Sequence, residues 1–106
     1  ISASTLNVNE KISPSTFYLY QNHPNPFNPV TQINYQLPKN SHIKIEVYDM
    51  MGKLVKTLVN EVQSPGFRSL KWNGQNFENQ KVSSGVYFYS LQSESFSATK
   101  KMILLD

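Results

Sequence analysis

Polar and apolar positions in this chain fall into short runs separated by turn-forming residues, and the cleanest runs alternate with a period of two. In VTQINYQL, Thr31, Ile33, Tyr35 and Leu37 share one face while Gln32, Asn34 and Gln36 share the other, which predicts a half-buried antiparallel strand. Residues 38–41 turn the chain. Ile43, Ile45 and Val47 then alternate with Lys44 and Glu46 in a second strand. The tetrad Asp49, Met50, Met51, Gly52 has Asp first and Gly last, as a four-residue turn requires. Residues 53–60, KLVKTLVN, are ambiguous, because Leu54, Val55, Leu58 and Val59 also suit an amphipathic helix. Val55, Thr57 and Val59 are β-branched, Gly52 abuts the start, and the run is short, so a strand is expected. A twist or bulge there would bury both Leu–Val pairs.

Four further runs complete the pattern. Residues 17–21, FYLYQ, form a short aromatic strand, stopped by NHPNPFNP at 22–29. Pro24, Pro26 and Pro29 fix φ, remove backbone donors and push the residues before them to extended geometry, so this segment is a rigid loop. Asn22, Asn25 and Asn28 can close its turns, and Phe27 is the expected plug that anchors it on the core. After a turn at Ser64, Pro65 and Gly66, a strand holds Phe67, Leu70 and Trp72, the sole tryptophan and an expected core centrepiece. The stretch 85–105, GVYFYSLQSESFSATKKMILL, contains two β-prone runs joined by a short polar connection, an antiparallel hairpin. The sequence stops one residue after its last apolar run, and that hairpin is expected to be needed to close the domain. About seven short strands with a turn signal roughly every ten residues predict an all-β, immunoglobulin-like antiparallel sandwich, without the cysteine pair of antibody domains.

Composition narrows the reading further. A chain of 106 residues makes one domain that buries roughly two-thirds of its surface. Residues 1–16 are rich in Ser, Thr and Asn and are expected to be a flexible linker from a larger parent protein, with the folded domain at 17–106. The alternative there is a short extra strand through Leu6 and Val8. Net charge is +3, but the basic residues are scattered apart from Lys100 and Lys101, which does not make a nucleic-acid stripe. No apolar run approaches the ~20 residues that span a bilayer. There is no cysteine, hence no disulfide or thiolate metal site.

Catalytic chemistry finds little support. His23 lies in the proline-rich loop and His42 at a strand start, positions typical of turn or surface residues rather than of a general base. The seven carboxylates are dispersed, and no phosphate loop, nucleophile elbow or zinc motif occurs. No catalytic residue and no cofactor is therefore expected. Asn73, Asn76, Glu78 and Asn79 could offer oxygens to calcium, yet only Glu78 is charged, and turn hydrogen bonding explains the asparagines better. The six tyrosines, at 18, 20, 35, 48, 87 and 89, could stack on sugars. Core and cross-strand packing is the simpler role unless three of them share an exposed face.

Four motifs, in order, resemble one family: YQNHPNPFNP at 20–29, VYDMMGKLV at 47–55, WNGQNFENQKVSSGVYFY at 72–89 and FSATKKMILL at 96–105. The chain looks like a type A C-terminal sorting domain of the type IX secretion system over residues 17–106. The resemblance implies a seven-stranded immunoglobulin-like sandwich attached to an N-terminal cargo that crosses the inner membrane by the general pathway. An outer-membrane translocon would read the folded domain. A cell-surface cysteine peptidase would cleave in or near the linker before Phe17, releasing the cargo or joining it to a lipopolysaccharide. Localisation would be secreted or cell-surface, by way of the periplasm, and the domain itself would not be an enzyme. Recognition would lean on Gly85, Tyr87, Lys100, Lys101 and Met102, with Pro24, Asn25, Pro26, Phe27, Asp49, Gly52 and Trp72 as structural motif residues. Relatives often carry Asp where this chain has Asn73 and Asn76, and Gly in place of Asn79, which weakens a metal site further. The same motif shape occurs in an immunoglobulin-like domain of flagellar hook-capping proteins, so the alternatives are a structural assembly part or a carbohydrate-binding module. In the hook-capping case the chain would not be expected to end straight after the hairpin. Lys100 and Lys101 on an edge strand could face an acidic receptor or simply discourage aggregation.

Overall fold

The computed structural model describes residues 13–105. They form seven strands: β1 (Tyr18–Leu19), β2 (Thr31–Leu37), β3 (Ser41–Asp49), β4 (Leu54–Gln63), β5 (Gly66–Trp72), β6 (Gly85–Gln92) and β7 (Ser97–Leu104). Two antiparallel sheets result, one of three strands in the order β1-β2-β5 and one of four in the order β4-β3-β6-β7. Among the described residues no helix is long and apolar enough to cross a membrane.

The period-two pattern places the core. On β2 the side chains of Thr31, Ile33, Tyr35 and Leu37 are buried while Asn34 between them is exposed. On β3 Ile43, Ile45 and Val47 are fully buried, and on β6 Tyr87, Tyr89 and Leu91 point the same way. One apolar cluster joins these residues with Leu19, Phe27, Val55, Trp72, Met102 and Leu104. Burial of this kind contributes roughly 25 cal/mol per Å² of apolar surface, the main favourable term for so small a domain.

Residues 53–60 belong to a strand, β4, which runs on to Gln63. Its register against β3 slips twice, so that Val55 and Leu58 are each left without a direct partner. These are bulges, and an extra residue in a strand bends it and changes which side faces inward. Val55 is buried and Leu58 and Val59 are half-buried, but Leu54 stays exposed, so the bulges bury one Leu–Val pair rather than both.

β1 is shorter than the aromatic run it comes from, although Tyr20 N–H still donates to Asn34 O at 3.0 Å. The expected linker at 1–16 lies for the most part outside the described residues. Within its last four residues Pro14 is buried and Thr16 O accepts from Gln36 Nε2 at 3.1 Å, so the chain already lies against the domain ahead of Phe17. Phe17 stacks on Phe96 of the β6–β7 connection, ring centroids 5.3 Å apart.

Candidate functional site

The closing hairpin and the proline-rich loop form one unit. Phe27 is buried and packs 5.8 Å from Trp72, which in turn meets Tyr87 edge-on at 5.5 Å. Trp72 Nε1 donates to Gln75 O at 3.0 Å, so the indole satisfies its polar atom while filling the core. The loop peptides His23–Pro24, Asn25–Pro26 and Asn28–Pro29 are cis.

Backbone bonds tie the loop to the outer edge of β7. Phe27 N–H donates to Ile103 O at 3.0 Å, Leu105 N–H donates to Phe27 O at 2.8 Å, and Ile103 N–H donates to Asn25 Oδ1 at 2.9 Å. Gln21 Nε2 donates to Lys101 O at 2.7 Å. An unpaired strand edge is a template for another chain, and here its second half is covered by the loop. Asn25 thus reaches β7 rather than closing a turn within its own loop. Ser97 and Thr99 make no backbone bond of this kind among the described residues.

A second network fixes the loop from within. Tyr89 is fully buried; its hydroxyl donates to Tyr20 O and accepts from Asn22 N–H, both at 2.7 Å. Burial pushes this phenol up to about 12, with the Asn22 N–H pulling the other way. Asn22 Nδ2 donates to Thr31 Oγ1 at 2.9 Å and to Pro24 O at 3.1 Å, and the Thr31 hydroxyl donates to Pro24 O at 2.9 Å. Sequence reasoning assigned Asn22 a turn role and missed Tyr89 and Gln21, because their partners lie 67 to 80 residues away.

The residues the resemblance singled out are divided by the pleat. Successive side chains on a strand point to opposite faces. Lys100 shares a side with Ala98, Met102 and Leu104, and its Nζ sits 6.0 Å from the ring centre of Tyr18. Lys101 is exposed on the other face, opposite Phe88 of β6. Tyr87 and Met102 are buried, Tyr87 donating its hydroxyl to Ser83 O at 2.6 Å. Gly85 is exposed with φ +147°, and a Cβ there would meet nothing within 4 Å. At the β3–β4 turn Gly52 has φ +85° and donates to Asp49 O, while Asp49 Oδ1 accepts from the amides of Met51 and Lys53. Pro24 and Pro26 are exposed.

In the asparagine loop after Trp72, the side-chain oxygen of Asn76 is used internally. Asn76 Oδ1 accepts from Glu78 N–H at 2.9 Å and Gln80 N–H at 3.0 Å, and Asn79 takes the left-handed conformation at φ 60°. Among the described residues no three His, Cys, Asp or Glu side chains gather as a metal site would need. A cavity of about 450 Å³ lies between this loop and the β3–β4 turn and is lined in part by Asp49, Lys53, Phe77 and Glu78. His23 and His42 are exposed, one pairing its backbone with Gln32 and the other standing second in β3.

A family model described as a secretion system C-terminal sorting domain matches residues 21–105. No curated protein matches the chain. Among solved structures, the chain is similar to dimeric latent PorU from Porphyromonas gingivalis, at 21% identity and a TM-score of 0.67, covering 92% of this chain and 10% of that one. It is also similar to PorZ, an essential surface component of the type IX secretion system of P. gingivalis, at 20% identity and a TM-score of 0.58, covering 85% and 11%. A third similar structure is FlgD from P. aeruginosa, at 23% identity and a TM-score of 0.55, covering 70% and 57%. The chain therefore spans about a tenth of PorU and PorZ and just over half of FlgD. At these identities the likeness is one of fold.

Proposed function

Since the chain belongs to the C-terminal sorting domain family of the type IX secretion system, we propose that it is the signal by which that system passes an N-terminally attached cargo through its outer-membrane translocon. The cargo reaches the periplasm first, and a cell-surface cysteine peptidase then removes the domain or uses it to attach the cargo at the surface. The domain performs no catalysis in this scheme. The observation that carries the reading is the family match over residues 21–105, which takes in both the proline-rich loop and the closing hairpin.

On this reading the recognition residues divide into two roles. Tyr87 and Met102, being buried, hold the hairpin in shape. Lys101, Lys100 and the open backbone at Gly85 are the groups a translocon could touch without unfolding the domain. Because the loop covers β7 at Lys101, Ile103 and Leu105, strand addition is limited to the stretch around Ser97 and Thr99.

The test is export of a reporter. Residues 1–106 are fused behind a signal peptide and a fluorescent protein in a bacterium with a type IX system. The expected result is surface or medium fluorescence for this fusion and periplasmic retention for a control lacking residues 97–106. Retention of the full fusion, with the domain shown to be folded, refutes the sorting role. Export of the Lys100→Ala/Lys101→Ala double variant at the wild-type rate removes the lysines from it.

A further inference from the structure

We propose that the outer face of the β1-β2-β5 sheet binds an acidic glycan. This goes beyond the sorting role and does not depend on it. The pairing register aligns Tyr18 of β1, Gln36 of β2 and Phe67 of β5 in one row, with Tyr20, Asn34 and Ser69 in the next. Tyr18, Tyr20 and Phe67 are all exposed, Phe67 at 61%. Three aromatic rings thus share one exposed face, two tyrosines and a phenylalanine.

The rings are held in place. Tyr18 and Tyr20 meet edge-on with centroids 4.6 Å apart, and the Tyr20 hydroxyl donates to Gln36 Oε1 at 2.7 Å. Tyr20 and Phe67 wall a groove of about 330 Å³, with Asn34, Tyr35, Arg68 and Ser69 completing its lining. One strand separates the two walls, which sets them about 10 Å apart at the usual inter-strand spacing. Gln32 Nε2 donates to Asn34 Oδ1 at 2.9 Å. Among the described residues this leaves Asn34 Nδ2 and the Ser69 hydroxyl without a partner.

This chemistry selects the occupant. An apolar protein surface laid here would strand the amide and hydroxyl groups between the rings, and burying such groups unpaired is costly. A sugar offers both what the rings and what the floor require: C–H faces for stacking and hydroxyls for hydrogen bonding. The charge favours an acidic sugar. Lys71 is exposed on the same outer face along β5 and Lys100 flanks Tyr18, while no carboxylate lines the groove; Arg68, of opposite parity, turns its guanidinium to Ser64 O and Oγ.

The experiment is native affinity electrophoresis of the 106-residue chain in gels containing polygalacturonate, alginate or hyaluronate, with dextran as the neutral control, all at about 0.15 M salt, where long-range attraction is screened. Retardation by at least one acidic polysaccharide is expected, with affinity falling roughly ten-fold in Phe67→Ala, the effect of losing a principal stacking contact. Lys71→Gln, at an exposed position of the same face, should narrow the gap between acidic and neutral polysaccharides. Phe67 is exposed, so Trp72 fluorescence should report an unchanged fold. Four results overturn the proposal. They are no retardation in any acidic gel, retardation unchanged in Phe67→Ala, equal retardation by dextran, or a dimer in light scattering that Phe67→Ala dissociates.

Discussion

Replacing Tyr89 by Phe removes one oxygen and keeps the ring, so it isolates the hydroxyl that pins the proline-rich loop. That oxygen makes two bonds of 2.7 Å, one to Tyr20 O and one from Asn22 N–H. Tyr20 is exposed, so its carbonyl can turn to water, and the loss there is the net value of one hydrogen bond, about 1 kcal/mol. Asn22 is buried, so its amide is left with no partner, which costs about 1–3 kcal/mol. Together the variant should lose about 2–4 kcal/mol, a large share of the 5–15 kcal/mol typical of a domain. Urea unfolding followed by Trp72 fluorescence measures it, since that tryptophan is single and buried. A loss under about 1 kcal/mol would refute the claim that this hydroxyl anchors the loop.

The same residue sets an alkaline limit. Its phenol is pushed up to about 12 by burial, against about 10 in an unfolded chain. Between those values the folded protein keeps a proton that the unfolded one has shed. The contribution is therefore complete below pH 10 and is lost as pH rises through 12, amounting to about 2–3 kcal/mol. Tyr35 is raised by burial and Tyr48 chiefly by its hydrogen bond to Glu46, so both act in the same direction. Wild-type stability should fall across pH 10 to 12 and that of Tyr89→Phe should fall less steeply; parallel slopes would contradict the assignment.

Two further perturbations probe how the loop and turns are held. Phe27→Ala deletes a ring that is almost wholly buried against Trp72, and a loss of about 3–5 kcal/mol is expected from the same urea titration. A loss below about 2 kcal/mol would mean the loop collapses into the vacated space. Gly74→Ala should destabilise more than Gly52→Ala, although both glycines have positive φ, at +73° and +85°. A Cβ at Gly74 would also stand 3.3 Å from Pro29 O, whereas one at Gly52 meets nothing within 4 Å. Strain alone costs about 1 kcal/mol, so thermal melts should show a clear excess for Gly74→Ala; equal shifts would show that the Pro29 contact relaxes freely.

Much of the fold could be read from residue pattern because one face of each strand is buried. Alternation at 31–37 and 43–47 names the core residues correctly, and Gly52 and the Asp49 side chain form the expected turn. Leu54 and Phe67 were less accessible to such reasoning. Both are large and apolar, yet bulges on β4 and the parity set by Leu70 and Trp72 on β5 turn them outward. The loop's attachment to β7 could not be read at all, since it depends on bonds between residues 21–27 and 101–105 that no local pattern encodes. The split of Lys100 and Lys101 is different, because adjacent residues on any strand must face opposite ways. Treating them as one basic patch runs against the pleat.

That split carries a consequence for the proposed recognition. Lys101 stands on the outer face of the four-stranded sheet in register with Phe88 and, across β6, with Tyr48. Lys100 is half-buried beside Tyr18, at the side where the edge of β7 approaches β1. A receptor gripping one flat face meets Lys101 without Lys100, whereas a receptor adding a strand near Ser97 and Thr99 passes close to both. The single variants Lys100→Ala and Lys101→Ala, assayed for export with the same reporter, separate the two modes. Since loop contacts already cover much of the β7 edge, docking on the face is the expected mode, and Lys101→Ala should slow export more than Lys100→Ala. Equal losses from the two would instead point to strand addition.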